Sequence, residues 1–272
     1  MRFIVDKVFQ VFTLGVAIFV SLILAFILFQ LIKDGISSLS INFFTETARP
    51  VGSSSGGFKQ AIVGSIIIDS IAMIIIVCLS ILGGLYLHLY SGSFFAKVLK
   101  ESMSLLQGTP TIVCGICVYY IVVKQMGHFS GLAGSVALAL VGIPYMVLAS
   151  EQIFNMTPTL LLEAAYSLGL SRTRVIFFVV LRFAKFPLLA ISLLTLARIA
   201  GETAPLLFTA FGNSFLELNP TRPMAAIPLQ IFIYAISPYD EWHRLAWAGA
   251  LVLITFVTVL SIILGRYRRL GE

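Results

Sequence analysis

TPTLLLEAAYSLGLSRTRVIFFVVLRFAKFPLLAISLLTLARIAGETAPLLFTA, residues 157–210, joins two kinds of sequence without a linker. The first part reads as a short helix bounded by polar residues, with Arg172, Arg174, Arg182 and Lys185 behind it. The second is a long apolar run with Arg198 and Glu202 in its middle. Thr157 can cap a helix whose first residue is Pro158, where a missing N–H is not felt. Leu160, Leu161, Ala164, Ala165 and Leu168 then recur at helical spacing. Gly169 can take the left-handed conformation that stops a helix, and Ser171 can cap a second one at once. The small pair Ala164-Ala165 permits close approach by another surface, and Glu163 offers an anchoring charge. Taken alone, such a segment is also what an ordinary surface helical turn looks like.

The surrounding chain changes that reading. Of 272 residues, 59% are hydrophobic and 11% charged, where a soluble domain has about 25% charged. The mean hydropathy is +1.02. These values exclude a soluble globular domain and a disordered one. Six runs have the roughly 20 apolar residues needed to cross a bilayer: 8–32, 61–82, 103–123, 132–149, 186–211 and 245–264. The fold class expected is therefore all-α, a polytopic membrane protein with six transmembrane helices and a short cytoplasmic helix, which the resemblance described below makes a coupling helix. The first run is longer than the 7–15 residues of a cleavable signal core and reads as a retained anchor. With the N-terminus inside, eleven cations fall on the cytoplasmic side: Arg2, Lys7, Lys97, Lys100, Arg172, Arg174, Arg182, Lys185, Arg266, Arg268 and Arg269. Six fall outside (Lys33, Arg49, Lys59, Lys124, Arg222 and Arg244), so both termini are expected in the cytoplasm.

The net charge of +6 lies beside apolar spans with no interleaved basic and aromatic run, so no nucleic-acid partner is expected. Residues 52–57, GSSSGG, read as a flexible outer loop. The outer segment 212–242 holds an apolar piece, 227–236, too short to span. Residues 1–55 are expected to form an N-terminal transmembrane helix and outer loop. Residues 56–272 are expected to form one membrane domain with its longest cytoplasmic loop at 151–185, the permease domain and coupling loop of the resemblance that follows.

Glu163-Ala164-Ala165-x-x-x-Gly169 on a cytoplasmic loop resembles the coupling loop of permeases of binding-protein-dependent ABC importers, the MetI-like family. Arg198-x-x-Gly201-Glu202-Thr203-Ala204-Pro205 resembles the signature of the phosphate-importing branch. Gly108-Thr109-Pro110-x-x-Val113-x-Gly115, Pro228-Leu229-Gln230-Ile231 and Trp247-Ala248 fit the same branch. Arg182 departs from it, standing where the branch has a proline, and Pro187 comes one place late. The resemblance implies a permease subunit that binds no cofactor itself, with ATP and magnesium on a partner ATPase dimer. Its other implied partners are a second permease subunit, an extracytoplasmic phosphate-binding protein, phosphate and the lipid of a bacterial cell membrane. It assigns ATPase coupling to Glu163, Ala164, Ala165 and Gly169.

A span started at Pro187 places Arg198 about 16 Å along the helix, near the midplane, where an unpaired Arg costs about 2.5–3.5 kcal/mol. Glu202, four residues on, is expected on the same helical face. Gly201 and Pro205 are expected to kink the helix there. Arg198, Glu202 and Thr203 are the substrate-pathway candidates, because guanidinium forks match phosphate oxygens; a structural ion pair is the competing reading. A permease for another oxyanion such as sulfate stays open on residue chemistry. So does a membrane-embedded redox enzyme using Cys114/Cys117 or Asp69/Glu202. No catalytic or metal-binding set is expected: His88, His128 and His243 are scattered. Asp69, inside the second run, is not accounted for by the resemblance.

Overall fold

The computed structural model describes residues 2–52 and 56–269; Ser53, Ser54 and Ser55 of the expected flexible loop lie outside them. Among the described residues every regular element is a helix, with one isolated bridge between Phe211 and Met224. In chain order the helices are α1 (Arg2–Ser38), α2 (Ile41–Thr45), α3 (Lys59–Leu89) and α4 (Phe94–Gln107). They continue with α5 (Thr111–Met126), α6 (Gly131–Asn155), α7 (Thr159–Ser167) and α8 (Arg172–Ile199). The last three are α9 (Ala204–Leu207), α10 (Ile227–Ala235) and α11 (Asp240–Arg269). Five are long and apolar enough to cross a membrane, and α4 with α5 makes a sixth if counted as one span.

Two spans differ from the hydropathy reading. The expected span 103–123 is not one helix: α4 and α5 meet at 108°. Pro110 cannot donate a helical hydrogen bond, and it drives Thr109 out of the helical region. The amphipathic α4 turns away from α5 and is held against α6 by a 2.8 Å ion pair from Lys100 to the buried Glu151. The expected span 186–211 is displaced toward the N-terminus. Its helix begins at Arg172 and ends at Ile199, 28 residues or about 42 Å. That exceeds a 30 Å core, so the cationic first turns stand outside it. Pro187 is therefore not a helix start but an interior residue.

The core sits where α3 and α6 cross. Without a hydrophobic drive in lipid, helices associate through close backbone approach and interhelical hydrogen bonds, and both are present. The Ser135 hydroxyl donates to Ile68 O at 2.9 Å. A Cβ on Gly84 would lie 2.5 Å from Ser150 Cβ, and one on Gly142 would lie 2.6 Å from Ile76 Cδ1. At the other end of α6 the first amides are satisfied from outside the helix. Ser130 caps Ala133 N, while Gly131 N and Leu132 N donate to Arg222 O and Pro220 O. The segment after α9 is thereby pinned to the mouth of the α3–α6 pair. By contrast α1 is bare along its apolar window and leans on α11 near Gly35, whose Cβ would meet Leu251 Cβ at 2.8 Å.

Gly84→Ala is expected to lower the detergent thermal stability of the protein by about 1–3 kcal/mol through overpacking. Gly92→Ala, with open space around it, is expected to leave melting unchanged. Equal melting curves for the two variants would contradict this packing.

Candidate functional site: a coupling helix on a rod that ends at Arg198

The exposed element α7 starts one residue later than its sequence implies. Pro158 occupies the cap position, its carbonyl accepting from Leu161 N and Leu162 N. The Thr157 hydroxyl is buried without a partner and caps nothing. Leu160, Leu161, Glu163, Ala164 and Leu168 face outward, the first and last 75% and 82% exposed. Ala165 differs from its partner in the small pair: it is turned inward and buried. Its face also carries Leu162, which packs on the Phe154–Val180 cluster. Of the four expected coupling residues, Glu163, Ala164 and Gly169 are at the surface and Ala165 supports them from below.

The stop after α7 is a Schellman motif. Gly169 has φ +76°, Leu170 N donates to Ala165 O at 3.2 Å, and Gly169 N donates to Tyr166 O at 2.9 Å. Ser171 follows and hands the chain to α8 through its carbonyl, which accepts from Val175 N, not through its side chain. The base of α8 is tied to α3: Arg172 donates to Leu89 O at 3.4 Å and lies 5.2 Å over the Tyr90 ring. A cation at the carbonyl end of a helix is favourably placed. His88 Nδ1 and Asn155 Oδ1, 2.7 Å apart, tie the preceding end of the loop to the same place.

The rod α8 runs unbroken past the two positions that depart from the family pattern. A π turn, Ile176–Val180, precedes the exposed Arg182, and Pro187 sits inside the helix with no N–H for Phe183 O. From Lys185, the last charge before the end, Arg198 lies about 20 Å along the axis. The last turn carries Arg198, again a cation at the carbonyl end of a helix.

The chain leaves the helix just beyond. Gly201 N and Glu202 N bond back to Arg198 O and Ile199 O, and Thr203 starts α9 by accepting from Leu206 N and Leu207 N. The expectation that Glu202 shares a helical face with Arg198 therefore fails, because the spacing argument requires a helix that has already ended. Among the described residues no ion pair joins them. The exposed guanidinium lies instead 5.4 Å over the ring of Tyr145, beside Pro144 in α6. Pro205 does not bend a continuing helix; it opens the new one, near its N-terminus. A Cβ on Gly201 would make only an ordinary contact, 3.7 Å from Arg198 O. The residue that demands glycine is Gly115 of α5, where a Cβ would lie 2.7 Å from Pro205 Cα. Tyr145 escaped the sequence reading because 53 positions separate it from Arg198; a tyrosine next to an intramembrane proline was its one signal.

Other candidates are not assembled. Cys114 is buried and Cys117 exposed. Asp69 faces a cavity whose lining does not include Glu202.

Residues 77–269 match the family described as binding-protein-dependent transport system inner membrane component. The chain belongs to that family: a multi-pass permease component of an ABC transporter, not an enzyme. Its curated relatives include the phosphate transport system permease protein PstA of Yersinia pestis, 40% identical over 95% of this chain and 88% of that one. PstA of Haemophilus influenzae is 42% identical over 88% and 85%, and the probable PstA of Methanocaldococcus jannaschii 36% over 95% and 92%. Among solved structures the fold is shared with the MetNI methionine ABC transporter, at a TM-score of 0.64 and 14% identity, covering 78% of this chain and 94% of that one.

Replacing Gly169 by alanine is expected to cost about 1 kcal/mol at its left-handed φ, and asparagine less. The readout is protease nicking in the coupling loop, faster in Gly169→Ala than in Gly169→Asn. Equal rates would mean that the turn does not set the loop's order.

Proposed function

We propose that the chain is one permease subunit of an ATP-driven inorganic phosphate importer, forming half of the route across a bacterial cytoplasmic membrane. The observation that carries this is covalent. An exposed apolar helix and an exposed guanidinium lie at opposite ends of one 28-residue helix, with a single glycine-stopped turn between helix and rod. Phosphate as the solute rests on the names of the relatives. In this reading α7 presents Leu160, Leu161, Ala164 and Leu168 to a groove on a partner ATPase, with Glu163 as the anchoring charge. ATP and magnesium belong to that ATPase dimer. A second, related permease subunit supplies the other half of the route, and an extracytoplasmic phosphate-binding protein delivers the anion. The cation asymmetry of the loops supports cytoplasmic termini.

The chemistry required of the chain is differential binding of an anion in two states. Arg198 is unpaired by Glu202 and held on one side by Tyr145, so its donors remain available to phosphate oxygens. ATP-driven movement of α7 carries the rod, and the turn at 200–203 moves with it. Glu202 and Thr203 line the changed side of the route and repel or pass the anion as the turn shifts. A like charge near an anion's path opposes retention, which favours release inward.

Arg198→Ala is expected to leave assembly intact and abolish phosphate uptake by reconstituted vesicles. Tyr145→Phe, which keeps the ring face, should transport normally, and Tyr145→Leu should lose about 0.5–2 kcal/mol of cation–π support, seen as a several-fold drop. Uptake of sulfate at the phosphate rate by the wild type would overturn the assignment of the solute, and normal uptake by Arg198→Ala would remove Arg198 from the route.

A further inference from the structure

Asp69 lies in the interior of α3, about 15 Å from its start at Lys59. Among the described residues its carboxylate has neither an ion pair nor a hydrogen bond. An ionisable group at that depth is expected to have a partner, and none is supplied by the described residues. Asp69 lines a partly open cavity of about 440 Å³ between α3, the end of α8, α10 and α11, within the range of small-molecule sites. The walls are aliphatic and aromatic: Ile66, Met73, Leu196, Ile227, Leu253 and Phe256 among them. The polar groups at its surface are Asp69, Ser65 and Ser70. The Ser65 oxygen accepts from Ile227 N at 2.8 Å, which fixes its position and leaves its O–H as a donor at the cavity. The polar surface is thus one carboxylate and two hydroxyls on an otherwise apolar wall.

Those groups select a ligand by elimination. An anion is repelled, since no cationic side chain lines the cavity. A hydrated metal ion finds too few oxygens, six or more being usual for calcium or magnesium. A neutral apolar molecule fills the volume but leaves the carboxylate unmet. An ammonium on a hydrocarbon body meets both demands, its charge on the carboxylate and its chain against the apolar wall.

We propose that this cavity is a binding site for amphiphilic primary amines, the ammonium on Asp69 and the hydrocarbon body against α8 and α11. Its wall includes Leu196 and Ala200, two residues to either side of Arg198. An occupant therefore sits between the end of the rod and α3, and is expected to hold that end still. Only this consequence, inhibition of uptake, rests on the transport reading; binding itself does not.

The test uses the whole transporter in phosphatidylcholine nanodiscs, with radiolabelled dodecylamine and dodecanol counted above protein-free discs. Saturable dodecylamine binding is expected, at least about tenfold weaker in Asp69→Asn, while dodecanol binds weakly and equally to both. Val252→Phe fills the cavity without touching the charge and is expected to abolish amine binding, which keeps the test open should Asp69→Asn fail to assemble. No saturable binding, dodecanol as tight as dodecylamine, an unchanged affinity in Asp69→Asn, or binding retained in Val252→Phe each overturns the site. Amine binding without inhibition would leave the site standing and count against the coupling of this rod to uptake.

Discussion

The left-handed turn at Gly169 is the constraint on which the rest depends. It closes α7 with two backbone bonds and leaves only Leu170 and Ser171 before α8 begins. A connection that short has little freedom to absorb displacement, so a force on α7 acts on the rod. The rod is fastened at its base by Arg172 on the carbonyl end of α3, which makes that contact the natural fulcrum. Its soft places are local. The π turn at Ile176–Val180 and the missing bond at Pro187 both lie on the α7 side of the long apolar stretch. Beyond Pro187 the helix is uninterrupted to Ile199.

What happens at the far end follows from the cost of irregular backbone in lipid. Non-helical chain at membrane depth is tolerated where protein buries it or water reaches it. Here residues 200–203 leave the helix between two packed partners, α6 through Tyr145 and α5 through the Gly115–Pro205 contact. Discontinuous helices of this kind present their ends to transported ions. The separation of Arg198 from Glu202 bears on function. A guanidinium already neutralised by a carboxylate would serve packing, whereas one resting on an aromatic face keeps its hydrogen-bond donors for another group.

Much of this was legible in the residues, for identifiable reasons. Hydropathy marked the apolar segments because lipid imposes length and composition directly. The stop at Gly169 was legible because the left-handed conformation selects glycine. Hydropathy misplaced the fifth helix because it senses lipid, not hydrogen bonding: Arg172, Arg174, Arg182 and Lys185 look like loop but are helical. The break before Thr111 was written in Gly108-Thr109-Pro110, yet the apolar residues on both sides outweighed it. Glu202 was misread because a four-residue spacing has meaning only while the helix lasts. Tyr145 and the cavity around Asp69 depend on contacts between distant segments, which periodicity does not report.

The central claim is that coupling helix and Arg198 are the two ends of one stiff body. Electron–electron distance measurements on the whole transporter test it, with spin labels on Thr173 and Leu194, both exposed positions of α8, about 32 Å apart along the axis. A third label on Ile74 of α3 supplies the reference. Between the nucleotide-free and ATP-bound states the Thr173–Leu194 distance should hold within about 2 Å, the scale of a small helix shift, while the Leu194–Ile74 distance changes. A Thr173–Leu194 distance that changes while Leu194–Ile74 stays fixed would place the bend inside the rod and contradict the account.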